Sequence, residues 1–124
     1  MINQILIFVG GAVTLIWGVS HLFPTKSVVK GFGEISRDNK HIITMEWIVE
    51  GVALIFIGII VVGVTIIERV NNVSAFVYLS SVAVLIILAV ISLFTGYKVN
   101  FLPFKLCPFL FSLSAVLIFL GYFI

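Results

Sequence analysis

Charged residues are scarce in this chain of 124 residues, at 10% of the sequence, whereas 62% of the residues are hydrophobic. A water-soluble domain usually has roughly 25% charged and about 45–50% apolar residues. The shortage of charge excludes a soluble globular domain, a disordered tail and a secreted disulfide scaffold. The sequence therefore predicts an integral membrane protein that has the lipid bilayer as its first partner.

Cysteine and basic runs are also sparse. The single cysteine, Cys107, cannot form an internal disulfide, and no second cysteine offers a redox pair or a zinc clip. Seven Lys and Arg against five Asp and Glu give a net charge of only +2, and no basic run alternates with aromatic residues. We therefore expect no nucleic-acid partner.

Four apolar stretches are separated by three short polar breaks. Each stretch is near the ~20 residues that a helix needs to cross about 30 Å of hydrocarbon. The stretches do not alternate in polarity as the strands of a membrane barrel would. The sequence therefore predicts an all-α fold in one domain, a bundle of four transmembrane helices at about 5–23, 42–67, 75–94 and 106–124.

The first break, from Pro24 to His41, has the pattern of a short interfacial helix that starts after a cap at Thr25. Its apolar side would consist of Val28, Val29, Phe32 and Ile35. A solvated loop softened by Gly31 and Gly33 is an equal alternative.

The ends of two later helices are also predicted. Asp38 or Asn39 is a natural N-cap for the second span. The last helix should start between Phe104 and Cys107, with Pro108 in its first turn or at a kink.

Basic residues are distributed unevenly over the breaks. With four crossings, the first and third breaks share one side, and they carry six of the seven basic residues: Lys26, Lys30, Arg37, Lys40, Lys98 and Lys105. The second break has only Arg69. The positive-inside rule then predicts that the first and third breaks are cytoplasmic and that both termini lie outside.

Two carboxylates interrupt the second span. Glu46 and Glu50 are four residues apart, so they project from one helix face about 6 Å apart along the axis. An ionised carboxylate in hydrocarbon costs at least ~2.5–3.5 kcal/mol, so both should point into the bundle. Glu50 is the deeper of the two and the stronger candidate. Glu46 has an alternative as a boundary residue paired with Lys105, Lys98 or Lys40.

The first span offers a matching face. Its small and polar residues Gly11, Thr14, Gly18 and His21 follow a helical spacing of 3, 4 and 3. Because the first two spans run in opposite directions, His21 should lie level with Glu46 and Glu50. Trp17 and Trp47 could line the same space or serve as interfacial anchors, and Gly51 and Gly58 offer a surface for close helix approach.

This combination predicts a pocket at the cytoplasmic end, with ligand-binding candidates His21, Glu46, Glu50, Trp17, Trp47 and Lys105. A carboxylate beside a histidine could relay a proton or act as general acid and base. A carboxylate between tryptophans could hold an organic cation. The Glu-x-x-His repeats of bundle metal sites are missing, so no metal is predicted, and no cofactor can be named.

A family resemblance adds to this interpretation. The segment from His21 to Thr25, the segment from Gly31 to Ser36, the Met45-Glu46-Trp47 sequence and the segment from Phe101 to Pro108 resemble a group of small uncharacterised four-helix membrane proteins that is broadly DoxX-like. The resemblance implies a four-helix bundle. DoxX-like proteins are associated with quinone or redox accessory roles, but no residue-level site is implied here.

Three functions follow as hypotheses. The first is a binding or accessory membrane protein, self-associating because four short helices bury little, whose pocket holds a small ligand or a proton. The second is a small membrane enzyme that uses Glu50 and His21 as acid and base on a lipophilic substrate. The third is a structural subunit without a ligand.

Overall fold

The computed structural model describes residues 1–124 and confirms an all-α bundle. Four helices are long and apolar enough to cross a membrane: α1 (Ile2–Leu22), α3 (Arg37–Ile67), α4 (Asn72–Phe94) and α5 (Leu102–Phe123). A short helix, α2 (Thr25–Gly31), lies in the first break, and a single 3₁₀ turn (Gly96–Lys98) follows α4. Most large apolar side chains on the long helices are exposed, as expected of surfaces that face lipid.

The long helices extend beyond the predicted apolar spans because their first turns are polar or aromatic. Helix α3 has 31 residues and is about 46 Å long, so it exceeds the hydrocarbon thickness. The predicted caps at Asp38 or Asn39 are wrong, since Ser36 is the N-cap and its hydroxyl accepts a hydrogen bond from Asn39 N at 3.1 Å. The predicted start of the last helix is also wrong: α5 begins at Leu102 and has Pro108 in its interior.

Helix α2 confirms that the first break contains a short helix, but its bounds differ from those predicted. Pro24, not Thr25, precedes its first residue, and the Thr25 hydroxyl instead donates to Leu22 O at 2.6 Å. The helix ends before Phe32, because Gly33 adopts a positive φ of 72° that favours glycine and turns the chain away. Ile35 therefore lies outside the helix that was predicted to include it.

Glycines bring the antiparallel helices α1 and α3 into close backbone contact. A Cβ on Gly18 would lie 2.9 Å from Gly51 O, and a Cβ on Gly58 would lie 2.8 Å from Gly11 O. Two glycines seven residues apart on one helix thus face two on the other. This contact leaves no room for side chains and fixes the register of α1 against α3.

The other long helices pack around α1 unequally. Helix α5 packs against α1, where Gly10 meets Ser114 and Ile118, and α4 packs against α5. Helices α3 and α4 touch much less. They are joined at the end opposite the first break, where the hydroxyls of Thr65 and Tyr78 share a buried hydrogen bond of 2.8 Å. The bundle is closed at that end and has space at the other.

The glycine contact predicts a position-specific effect of alanine in α3. Gly58→Ala should destabilise the protein by about 1–3 kcal/mol, since the new methyl group meets the backbone of α1. Gly63→Ala in the same helix is the control, because a Cβ there meets no atom within 4 Å. Denaturant titration in detergent micelles measures both. Equal stability of the two variants would contradict the close contact.

Candidate functional site

The sequence-predicted histidine and the deeper carboxylate meet at the end of the bundle that holds the first and third breaks. His21 Nε2 lies 3.5 Å from Glu50 Oε2. The His21 side chain is 5% exposed, whereas that of Glu50 is 43% exposed. The register of α1 against α3 produces this contact: Gly18 faces Gly51, and His21 and Glu50 both lie from these glycines toward the same end of the bundle.

Trp47 holds His21 in two ways. The indole ring stacks on the imidazole, with centroids 3.8 Å apart and planes 17° apart. The indole Nε1 also donates to the carbonyl oxygen of His21 at 2.7 Å. That carbonyl belongs to the last turn of α1, where the carbonyl oxygens accept no hydrogen bond from N–H groups of the same helix. Trp47 therefore caps a free carbonyl at the end of α1 and orients the histidine in its last turn.

These residues border a cavity of about 310 Å³ among all four long helices. Aromatic, small and apolar groups form most of its wall: Trp17, Trp47, Phe104, Phe111, Leu88, Ile91, Ser92, Thr95 and Cys107. The volume lies at the lower end of the roughly 300–1,000 Å³ typical of small-molecule sites.

Two polar atoms in the cavity wall have no partner. Three buried side-chain nitrogen or oxygen atoms in the chain make no hydrogen bond, and two of them are His21 Nε2 and Trp17 Nε1. The 3.5 Å separation of His21 and Glu50 exceeds the usual hydrogen-bond range of about 2.7–3.2 Å. Buried polar groups are nearly always paired, so this concentration at one cavity is typical of a site that binds something.

No protein-family model, curated protein or solved structure matches this chain.

The DoxX-like resemblance therefore stays a prediction. The geometry described above does not depend on it.

Glu46 is not brought into the cavity. Gly18 faces Gly51, so Glu46, five residues before Gly51, falls beyond the end of α1 and is exposed. It lies within 4 Å of no lysine or arginine, so the alternative of a boundary ion pair is also wrong. Helix α1 packs against Glu50 but ends too early to cover Glu46, one turn away on α3.

Lys105 is likewise placed elsewhere. Its Nζ donates to Tyr97 O at 2.9 Å and lies 4.8 Å from the centroid of the Tyr97 ring. This contact ties the first turns of α5 to the 3₁₀ turn. Lys105 does not line the cavity that His21 and Glu50 border.

Phe104 is the main site residue that the sequence did not indicate. Its ring meets the edge of Trp47 at a centroid distance of 5.4 Å. Phenylalanines are common in this chain, with 12 in all, and nothing in the local sequence distinguishes this one. The one available signal was its position beside Pro103, at the start of a helix that returns to the bundle.

The two tryptophans predict unequal effects when each is replaced by phenylalanine. Trp47→Phe should lower the free energy of unfolding by about 0.5–1.5 kcal/mol more than Trp17→Phe, because only Trp47 donates a hydrogen bond. Denaturant titration in micelles compares the two. Equal losses would show that the Trp47–His21 bond does not hold the end of α1.

Proposed function

We propose that this chain is a small membrane binding or accessory protein whose cavity holds a small ligand through His21 and Glu50. The unpartnered His21 Nε2, buried in the cavity wall 3.5 Å from the Glu50 carboxylate, carries the proposal. A ligand donor placed about 3 Å from both atoms would bond to each of them. A proton relayed between the two groups is the smallest such ligand, but the volume of about 310 Å³ favours a molecule.

The acid–base alternative uses the same two residues. An enzyme would also need a nucleophile or an activated water. The one thiol in the wall, Cys107, instead donates a hydrogen bond to a backbone carbonyl, with its Sγ 3.4 Å from Pro103 O. Binding therefore has more support than turnover.

We further propose that the site lies toward the cytoplasm and that both termini lie outside. The antiparallel helices put α2 and the 3₁₀ turn at one end of the bundle, together with six of the seven basic residues. The positive-inside rule then orients that end inward. The test uses a reporter that is active only outside the cytoplasm. Fused after Ile124, it should be active. A silent reporter at that position, together with an active one inserted after Gly33, would show the opposite orientation.

Glu50→Gln is the direct test of binding. The variant should stay folded, with an unchanged melting temperature, and should lose the small molecule that native mass spectrometry detects on the gently purified wild type. Glu68→Gln is the matched control, since it makes the same change at the opposite end of α3, away from the cavity, and should keep the ligand. The same spectra give the subunit count and test the proposed self-association.

A wild-type protein that carries no small molecule, together with a Glu50→Gln variant that fails to assemble, would contradict binding and favour a structural subunit.

A further inference from the structure

A second and larger concavity adjoins the cavity. It is a groove of about 880 Å³ between α2, the start of α3 and the segment from Val99 to Phe104. The groove and the cavity share Trp47, Glu50 and Phe104 as walls. The edge-on contact between Trp47 and Phe104 therefore separates the two spaces, and Glu50 borders both.

The groove is open at the surface of the bundle and has a mostly apolar lining. Apolar residues that are themselves about half exposed line it: Phe32, Ile42, Val49, Val99 and Phe101. Such a wall is suited to an alkyl chain that enters sideways from the bilayer. A chain in the bilayer is already surrounded by hydrocarbon, so the groove alone gives little selectivity, and any selectivity has to come from the head group.

The charge of the two spaces has one sign. Glu50 borders the cavity, and Glu46 and Glu50 border the groove, whereas no lysine or arginine lines either. This is unexpected at the end of the bundle that carries six of the seven basic residues. Neither carboxylate lies within 4 Å of a lysine or arginine. The walls therefore offer no cationic side chain to an anionic head group.

The cavity supplies what a cationic head group needs. Glu50 offers charge, His21 Nε2 is an unpartnered buried nitrogen that can accept an N–H, and tryptophan rings attract cations through their faces. We propose that the ligand is a single-chain membrane amphiphile with an ammonium head, which lies between Glu50 and His21 while its chain lies in the groove. This inference rests on the proposed binding function and names the ligand class.

The tryptophans provide the readout. The chain has two, Trp17 and Trp47, and both line the cavity. Bromine quenches tryptophan fluorescence at short range, and the alkyl chain would pass Trp47 where the cavity meets the groove, so the bromine is placed at mid-chain. The protein in zwitterionic nanodiscs would be titrated with 6-bromoundecylamine, the corresponding alcohol and the corresponding alkyl sulfate. The amine should reach half-maximal quenching at a membrane mole fraction about tenfold or more below that of the other two, as expected for a hydrogen-bonded charge.

Glu50→Gln should remove this preference. Glu68→Gln, the same change at the opposite end of α3, should keep it. The trimethylammonium analogue, which has no N–H to donate, should bind more weakly than the amine if His21 accepts a hydrogen bond. Equal binding of the two would overturn the part assigned to His21.

The remaining outcomes separate the ligand class from the function. Equal quenching by amine, alcohol and sulfate, saturable in the wild type, would overturn the ammonium head and leave the binding function standing. Quenching that never saturates for any head group would overturn both. If Glu50→Gln does not fold, the order of head groups on the wild type still decides between these results.

Discussion

The contact between α1 and α3 through their glycines is the constraint on which the candidate site depends. Gly11 and Gly18 meet Gly58 and Gly51 with almost no space for a Cβ. In a bilayer, apolar side chains gain little by leaving lipid for one another, so close backbone packing supplies much of the attraction between helices. That packing fixes one register, and the register sets His21 beside Glu50.

The site holds polar groups that destabilise a membrane protein when they lack partners. Placing a carboxylate and an imidazole without hydrogen-bond partners in a medium of low dielectric constant costs free energy. The end of the bundle that bears them holds the cavity, whereas α3 and α4 are joined at the far end by the Thr65–Tyr78 hydrogen bond. The fold thus combines a closed end with an open end that carries two of its three unpartnered buried polar atoms.

The sequence predicted the parts that follow from spacing within one helix. The stripe that ends in His21 is buried as expected, and Gly51 and Gly58 form the expected contact surface. The prediction that His21 and Glu50 lie at the same depth followed from the antiparallel directions of the first two spans. Glu46 was misplaced because spacing within α3 cannot reveal the register of α3 against α1.

Other features lay outside the reach of spacing. Phe104 and the groove depend on how the return segment after α4 folds back onto α3, and no local pattern encodes that approach. The hydrogen bond from Trp47 to a carbonyl of α1 links residues 26 positions apart through a backbone atom, which has no signature in side-chain sequence. The starts of the long helices were missed because polar first turns extend the helices before their apolar spans, whereas the predicted C-terminal ends agree to within one residue.

The most direct test of the account is the distance between His21 and Glu50 in a bilayer. Solid-state NMR on protein carrying ¹⁵N in His21 and ¹³C in the Glu50 carboxyl measures the dipolar coupling between the two side chains. The account predicts a strong coupling, in line with the 3.5 Å between Nε2 and Oε2. A coupling too weak to detect, with the Glu50 carboxyl instead in contact with lipid acyl protons, would contradict it.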